Sequence, residues 1–189
     1  MRHGARTLRV RAVLVLVAAS LTAACESGEP MQPGDGAAFA VNPAAGQSAL
    51  MKEVRQATAR YNSITQAMQD GYVLASGCVE VPGLGAMGTH WVKGSLVDPV
   101  FDATAPEALL YLPESDGYRF VAVEYIVIDV GQPAPTFEGQ AFDVGGTPVP
   151  VSHWSLHLWL YEANPNGTFT PFNPGVSCPG AASAAAHAH

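Results

Sequence analysis

Between residues 48 and 70 apolar side chains recur at Leu50, Val54, Ala57, Tyr61, Ile64 and Met68. Steps of four and three residues return to one side of a helix, and Lys52, Glu53, Arg55, Gln56, Arg60 and Asn62 lie elsewhere. Ser48 is placed to cap the first turn, and Gly71 to end the last. The spacing predicts one amphipathic helix, with Tyr61 and Met68 as core residues rather than part of a cofactor site.

Further along, the period changes to two. Residues 108–112 and 118–128 read as strands, joined by a turn at Glu114-Ser115-Asp116-Gly117. The second is apolar on both faces, as a central strand covered on both sides should be. Residues 151–161 predict a third strand, Asn164-Pro165-Asn166-Gly167 a turn, and 168–172 a fourth strand. Residues 73–79 or 89–92 could add another. The Pro- and Gly-rich stretch 131–150 reads as a long loop that could serve as a lid. These elements predict an α+β fold: one N-terminal amphipathic helix packed on an antiparallel sheet in a single domain, residues 48–179.

The two ends of the 189-residue chain have a different character. Arg2, Arg6, Arg9 and Arg11 form a basic head, followed by apolar and small residues from Ala12 to Ala24. That stretch is too short for a bilayer span, which takes ~20 apolar residues. It has the form of a secretory signal over residues 1–24. It ends in Leu21-Thr22-Ala23-Ala24-Cys25, which resembles the lipobox of bacterial lipoproteins. The resemblance implies cleavage before Cys25 and a lipid on its sulfur, so that acyl chains rather than a helix hold the protein at a membrane of the cell envelope. Glu26, instead of Asp, after the lipid-bearing cysteine favours the outer membrane where a cell has one. Residues 25–47, rich in Gly, Ala, Pro and Ser, predict a flexible tether, and 180–189 a loose Ala- and His-rich tail. His187 and His189 in that tail are incidental, or at most a weak capture point for Cu(II), Ni(II) or Zn(II).

Export changes the charge balance. The signal contains four of the nine basic residues and none of the 16 acidic ones, leaving a mature chain of net charge −11. Such a chain repels phosphate backbones, which excludes nucleic acid as a partner and leaves the membrane as the expected one.

With Cys25 carrying lipid, Cys78 and Cys178 remain of the three cysteines. Outside the cytosol two such thiols predict a disulfide, closing a loop of about 100 residues. Thiolate metal ligation is the weaker alternative, because there is no C-x-x-C spacing.

Gly83-Leu84-Gly85-Ala86-Met87-Gly88 fits G-x-G-x-x-G, but Pro82 precedes it and His90-Trp91-Val92 follows, where a dinucleotide site needs a strand and then a helix. It is read as a tight loop delivering His90. No G-x-S-x-G or H-E-x-x-H occurs.

Glu124 shares a strand face with Phe120, Ala122, Ile126 and Ile128, a lone carboxylate among four apolar residues. A buried carboxylate must be paired, protonated or bound to a cation. Arg119, Lys93 or a tyrosine could satisfy it structurally. His153 and His157 sit on the same face of one strand but ~13 Å apart at ~3.3 Å per residue, so both should not hold one ion. Trp154, Leu156, Leu158 and Leu160 form the other face. His157, mid-strand, is the better candidate, and His153 is expected at a solvent-exposed edge. His90, Glu124 and His157 are therefore expected to converge, as ligands of a divalent transition metal (Zn, Cu, Ni or Fe) or of another small ligand. With no metal, His157 would be a neutral, hydrogen-bonded histidine beneath a loop.

Asp70-Gly71-Tyr72-Val73, Cys78, the stretch from Gly83 to Val92, Pro106-Glu107-Ala108-Leu109-Leu110-Tyr111, Val121-Ala122-Val123-Glu124-Tyr125, Leu156-His157-Leu158-Trp159-Leu160 and Asn173-Pro174-Gly175-Val176-Ser177-Cys178 together resemble a family of uncharacterised exported bacterial proteins. The resemblance covers most of 55–178 and implies one domain, without an activity. A more distant resemblance is to the oil-body-associated protein family, through a His, a Val-Glu-Tyr strand and a His-containing aromatic strand; there His90, Glu124 and His157 correspond. The expected function is an envelope lipoprotein that binds a metal or small ligand at these residues. The alternatives are an enzyme using the same residues, with Glu124 as acid or base or with a metal-activated water, and a non-catalytic structural or interaction module.

Overall fold

The computed structural model describes residues 48–179. The signal segment, Cys25, the tether, His187 and His189 lie outside the described residues. The domain is α+β, with an antiparallel sheet and few helices.

Ser48 caps the first helix as its position predicts: its Oγ accepts a hydrogen bond from Met51 N at 3.1 Å. The single helix read from the spacing is instead divided into α1 (Ala49–Thr58), a 3-10 turn (Ala59–Asn62) and α2 (Ile64–Gln69). Thr58 supplies the reason, since its hydroxyl bonds back to Val54 O at 2.7 Å and competes with the helical ladder. Ser63 then caps α2 by accepting from Gln66 N. The break shifts the buried side by one residue, so Ala67 is buried and Met68, expected in the core, is 56% exposed.

The strands are β1 (Val73–Leu74), β2 (Val79–Val81), β3 (Gly85–Val92), β4 (Ala108–Glu114), β5 (Gly117–Ile128), β6 (Thr136–Phe137), β7 (Gln140–Ala141), β8 (Asp143–Val144) and β9 (His153–Leu158). The main sheet has the order β1-β3-β4-β5-β9-β8, every neighbour antiparallel, with β2 also paired to β3. β5 is central and buried on both faces, as its composition predicts.

Other expectations change. Residues 168–172 form no strand; they are held as a turn, with Trp159 N donating to Thr168 O and Trp159 Nε1 to Thr170 O. The stretch 131–150 contains the β6–β7 hairpin and β8 rather than one long loop. Of the glycine-rich segment before His90, Gly83 and Leu84 form the tight turn between β2 and β3, while Gly85 to Gly88 already belong to β3. Its glycines serve close backbone approaches: at Gly85 (φ +91°) a Cβ would lie 2.1 Å from Asn173 O, and at Gly88 (φ +96°) 2.5 Å from Tyr111 O.

A register shift changes which face the first residues of β5 occupy. Leu110 opposes Ala122 but Tyr111 opposes Phe120, leaving Val121 as an extra residue. Phe120, expected beside Glu124, thereby joins Leu109, Tyr111, Val123 and Tyr125 in the main core, which also contains Val54 and Tyr61. On the opposite face lie two smaller clusters, one around Leu110, Ala122 and Trp159, the other around Val92, Ala108 and Ile126.

Cys78 and Cys178 are joined in a disulfide, their Cα atoms 5.8 Å apart. The bond ties the C-terminal segment to the β2–β3 hairpin. Two contacts reinforce it: Cys178 N donates to Glu80 Oε2, and Asn173 pairs with Ala86. Among the described residues no helix is long and apolar enough to cross a membrane.

Candidate metal centre

Strand pairing dictates where the three candidates meet. Glu124 on β5 lies directly opposite His157 on β9 and, on its other side, opposite Ala108 on β4. His90 on β3 opposes Leu110, two residues along β4 from Ala108. Directly opposed side chains share a face, so all three candidates project from the face away from the main core. β4 intervenes between His90 and Glu124, whose strands lie ~10 Å apart at ~4.8 Å per spacing. Ala108 offers only a methyl group there, which leaves room for the imidazole and the carboxylate to meet above it.

They do meet. His90 Nε2 lies 3.5 Å from Glu124 Oε2, and His157 Nε2 lies 4.0 Å from Glu124 Oε1. One ligating atom from each of the three lies within 4.8 Å of the others. Two donors on one tetrahedral ion at ~2.0–2.1 Å are ~3.4 Å apart, so an inward movement of about an ångström separates this arrangement from a ligand set. His90, Glu124 and His157 are 1%, 1% and 6% exposed. His90 Nε2, Glu124 Oε2 and His157 Nε2 have no hydrogen-bond partner, which is costly for buried polar atoms.

Two serines fix the donors from behind. Ser155 Oγ donates to Glu124 Oε1 at 2.6 Å. Ser76 Oγ accepts from His90 N at 3.3 Å, contacts Gly77 O at 3.0 Å and lies 2.8 Å from His90 Nδ1. If its one proton goes to the carbonyl, Nδ1 of His90 carries the ring hydrogen and Nε2 presents a lone pair to Glu124 and His157.

The electrostatics favour uncharged donors. Burial pushes the His90 imidazole down to about 4. Burial, and then the neighbouring His90, push His157 down to about 3. Burial lifts Glu124 to about 7, against the opposing pull of the Ser155 hydroxyl. Near neutral pH both imidazoles are therefore in the ligating form, and the carboxyl gives up its proton to a cation at little cost.

The structural partners considered for Glu124 are engaged elsewhere: Arg119 with Glu114 and Glu162, and Lys93 over the Tyr72 ring. His153 lies outside the triad, as its spacing predicts, but is buried (2% exposed) rather than at a solvent edge. Gly145 packs on its ring: a Cβ there would lie 2.1 Å from His153 Nε2. Sequence reasoning missed Ser76, Ser155 and Glu107. Ser155 had a signal, since His153, Ser155 and His157 form the polar alternate face of one strand. Glu107 is buried, accepts from Ile126 N through Oε2, and is raised to about 8, chiefly by burial.

Beside the centre is a cleft of about 200 Å³. Glu124, Ser155 and His157 line it, together with Met87, Phe169, Pro171 and segment 143–147. Comparison with known proteins adds nothing to this picture: no family model, curated protein or solved structure matches the chain. Function must then be argued from the site itself.

Proposed function

We propose that the domain binds one divalent transition metal ion through His90, Glu124 and His157, and that the mature protein is a lipoprotein anchored to the cell envelope through Cys25. What carries the metal reading is the meeting of three buried donor groups, each of which keeps one side-chain atom without a hydrogen-bond partner. Two imidazoles and one carboxylate are the donors of three-ligand Zn(II) sites and of non-haem Fe(II) sites, and also suit Cu(II) and Ni(II). The absence of thiolate from the set argues against a soft ion. Ser155 and Ser76 supply the outer hydrogen bonds that orient metal ligands.

The test is metal analysis of the full mature chain, purified without chelators and without a polyhistidine tag. One equivalent of a transition metal, located at the triad by anomalous scattering, is expected. A chain that stays metal-free after exposure to Zn(II), Fe(II), Cu(II) and Ni(II) would sink the reading and leave a structural or interaction module.

A second reading, an enzyme using the same residues, is favoured by one observation: Glu124 and His157 line a cleft. Three protein ligands leave a coordination position for water or substrate, as catalytic sites do. Turnover of a substrate library by the metal-loaded chain separates this reading from simple binding.

A further inference from the structure

The cleft bounds what could reach the centre. Its volume, about 200 Å³, falls below the ~300–1,000 Å³ of pockets for drug-sized ligands, so the group that enters is small. Met87, Phe169 and Pro171 contribute apolar surface, and among the described residues no lysine or arginine lines it. Asp143 is the second carboxylate on its lining, beside Glu124. An anion approaching through the cleft therefore passes the exposed Asp143 carboxylate and, among the described residues, meets no cationic side chain to hold it.

We propose that this cleft admits a small neutral or cationic molecule, bearing one nitrogen or oxygen donor, to the coordination position that His90, Glu124 and His157 leave free. The inference rests on the metal reading above and goes beyond it, because a purely structural ion would accept no outside ligand. Segment 143–147 forms the wall that a substitution can use to close the route. A Cβ at Gly146 meets no atom within 4 Å, and its φ lies outside the positive range, so a larger residue is tolerated there. Val144, 79% exposed, offers a second position on the same wall.

The experiment uses the full mature chain loaded with Co(II), whose visible absorption reports the ligand set. Metal content is measured first, then imidazole and acetate are titrated as neutral and anionic probes. Imidazole should produce a saturable spectral change. In Gly146→Leu, and independently in Val144→Trp, cobalt stoichiometry should be unchanged while imidazole binds at least tenfold more weakly. Asp143→Lys should strengthen acetate binding several-fold and leave imidazole within about twofold, because only an anion senses the exchanged charge. Bound cobalt whose spectrum ignores imidazole would overturn the inference and leave the metal site standing. So would equal imidazole affinity in the wild type and both wall variants. Acetate binding unmoved by Asp143→Lys would overturn the charge selection. A chain that takes up no cobalt at the first step fails the metal reading itself, and the inference with it.

Discussion

Glu124 and His157 are directly opposed on neighbouring antiparallel strands, and the carboxylate reaches from there across Ala108 to His90, two strands away. One side chain thus joins three non-adjacent parts of the chain, and most consequences of the site can be tested through it.

Glu124→Gln, His90→Ala and His157→Ala should each abolish stoichiometric metal binding at micromolar protein concentration. Ser155→Ala and Ser76→Ala leave the donors in place but unfixed, and should weaken affinity by about 10- to 100-fold. Isothermal titration with Zn(II) checks both sets. Serine variants that bind like the wild type would show that neither hydroxyl orients a ligand.

Proton release on metal binding should fall as pH rises. At pH 6, Glu124, held up at about 7 by burial, is mostly protonated and must lose that proton to ligate. His90 and His157, pushed down to about 4 and about 3, have none to lose. Close to one proton should therefore be released at pH 6 and almost none at pH 8.5. Titrations in buffers of different ionisation enthalpy measure this directly, and release that grows with pH would contradict it.

In the metal-free chain the same carboxyl costs stability at high pH. Its folded pKa is raised above the unfolded value, so its contribution is fully present below about 4.5 and is lost as pH rises through about 7. The imidazoles run the other way: theirs is present above about 6.5 and lost as pH falls through about 4 and about 3. Glu124→Gln should accordingly match the wild type near pH 5 and exceed it at pH 8.5, by on the order of 2–3 kcal/mol. Denaturant unfolding of the metal-free proteins at the two pH values is the check. A variant less stable at pH 8.5 would mean the buried carboxylate has compensation that the structure does not contain.

How much of this was legible in the sequence depends on the range of the forces involved. Alternation along residues 118–128 isolates Glu124 among apolar neighbours, and alternation along 151–161 puts His157 on the polar face. The β4–β5 turn and the Ser48 cap are equally local, and all appear where their patterns put them. What failed was set by contacts far apart in sequence. Gly85 and Gly88 read as a loop because their purpose, letting Asn173 O and Tyr111 O approach, is invisible without the partners. Phe120 changed faces through a bulge at Val121, which no local pattern marks. His153 is buried because Gly145 covers it. The divided helix is the exception, since Thr58 bonding back to Val54 O is local, yet threonine also occurs in unbroken helices.

Removing the disulfide should cost up to about 4–5 kcal/mol, because it closes a loop of 100 residues in the unfolded chain. The double substitution Cys78→Ala, Cys178→Ala should lower the denaturant midpoint accordingly without changing donor chemistry. If the midpoint does not move, the Asn173–Ala86 pairing and the Glu80 contact suffice to hold the C-terminal segment.

Cys25→Ser should yield a chain that neither incorporates labelled fatty acid nor sediments with membranes. Labelling of the mutant would end the lipoprotein proposal, and loss of labelling with retained sedimentation would point to a second membrane contact.

The crosslink between Cys78 and Cys178 encloses residues 90, 124 and 157 in a single covalent circuit. Such a circuit closes only where thiols are oxidised. On the envelope reading, a chain translocated unfolded gains both its crosslink and its ion only after translocation. The ion would be drawn from whatever the envelope supplies at that moment, not from the cytosol's regulated store. Occupancy in the cell would then track the mineral content of the surroundings, and growth in metal-depleted medium would yield a folded, crosslinked chain with its triad unfilled.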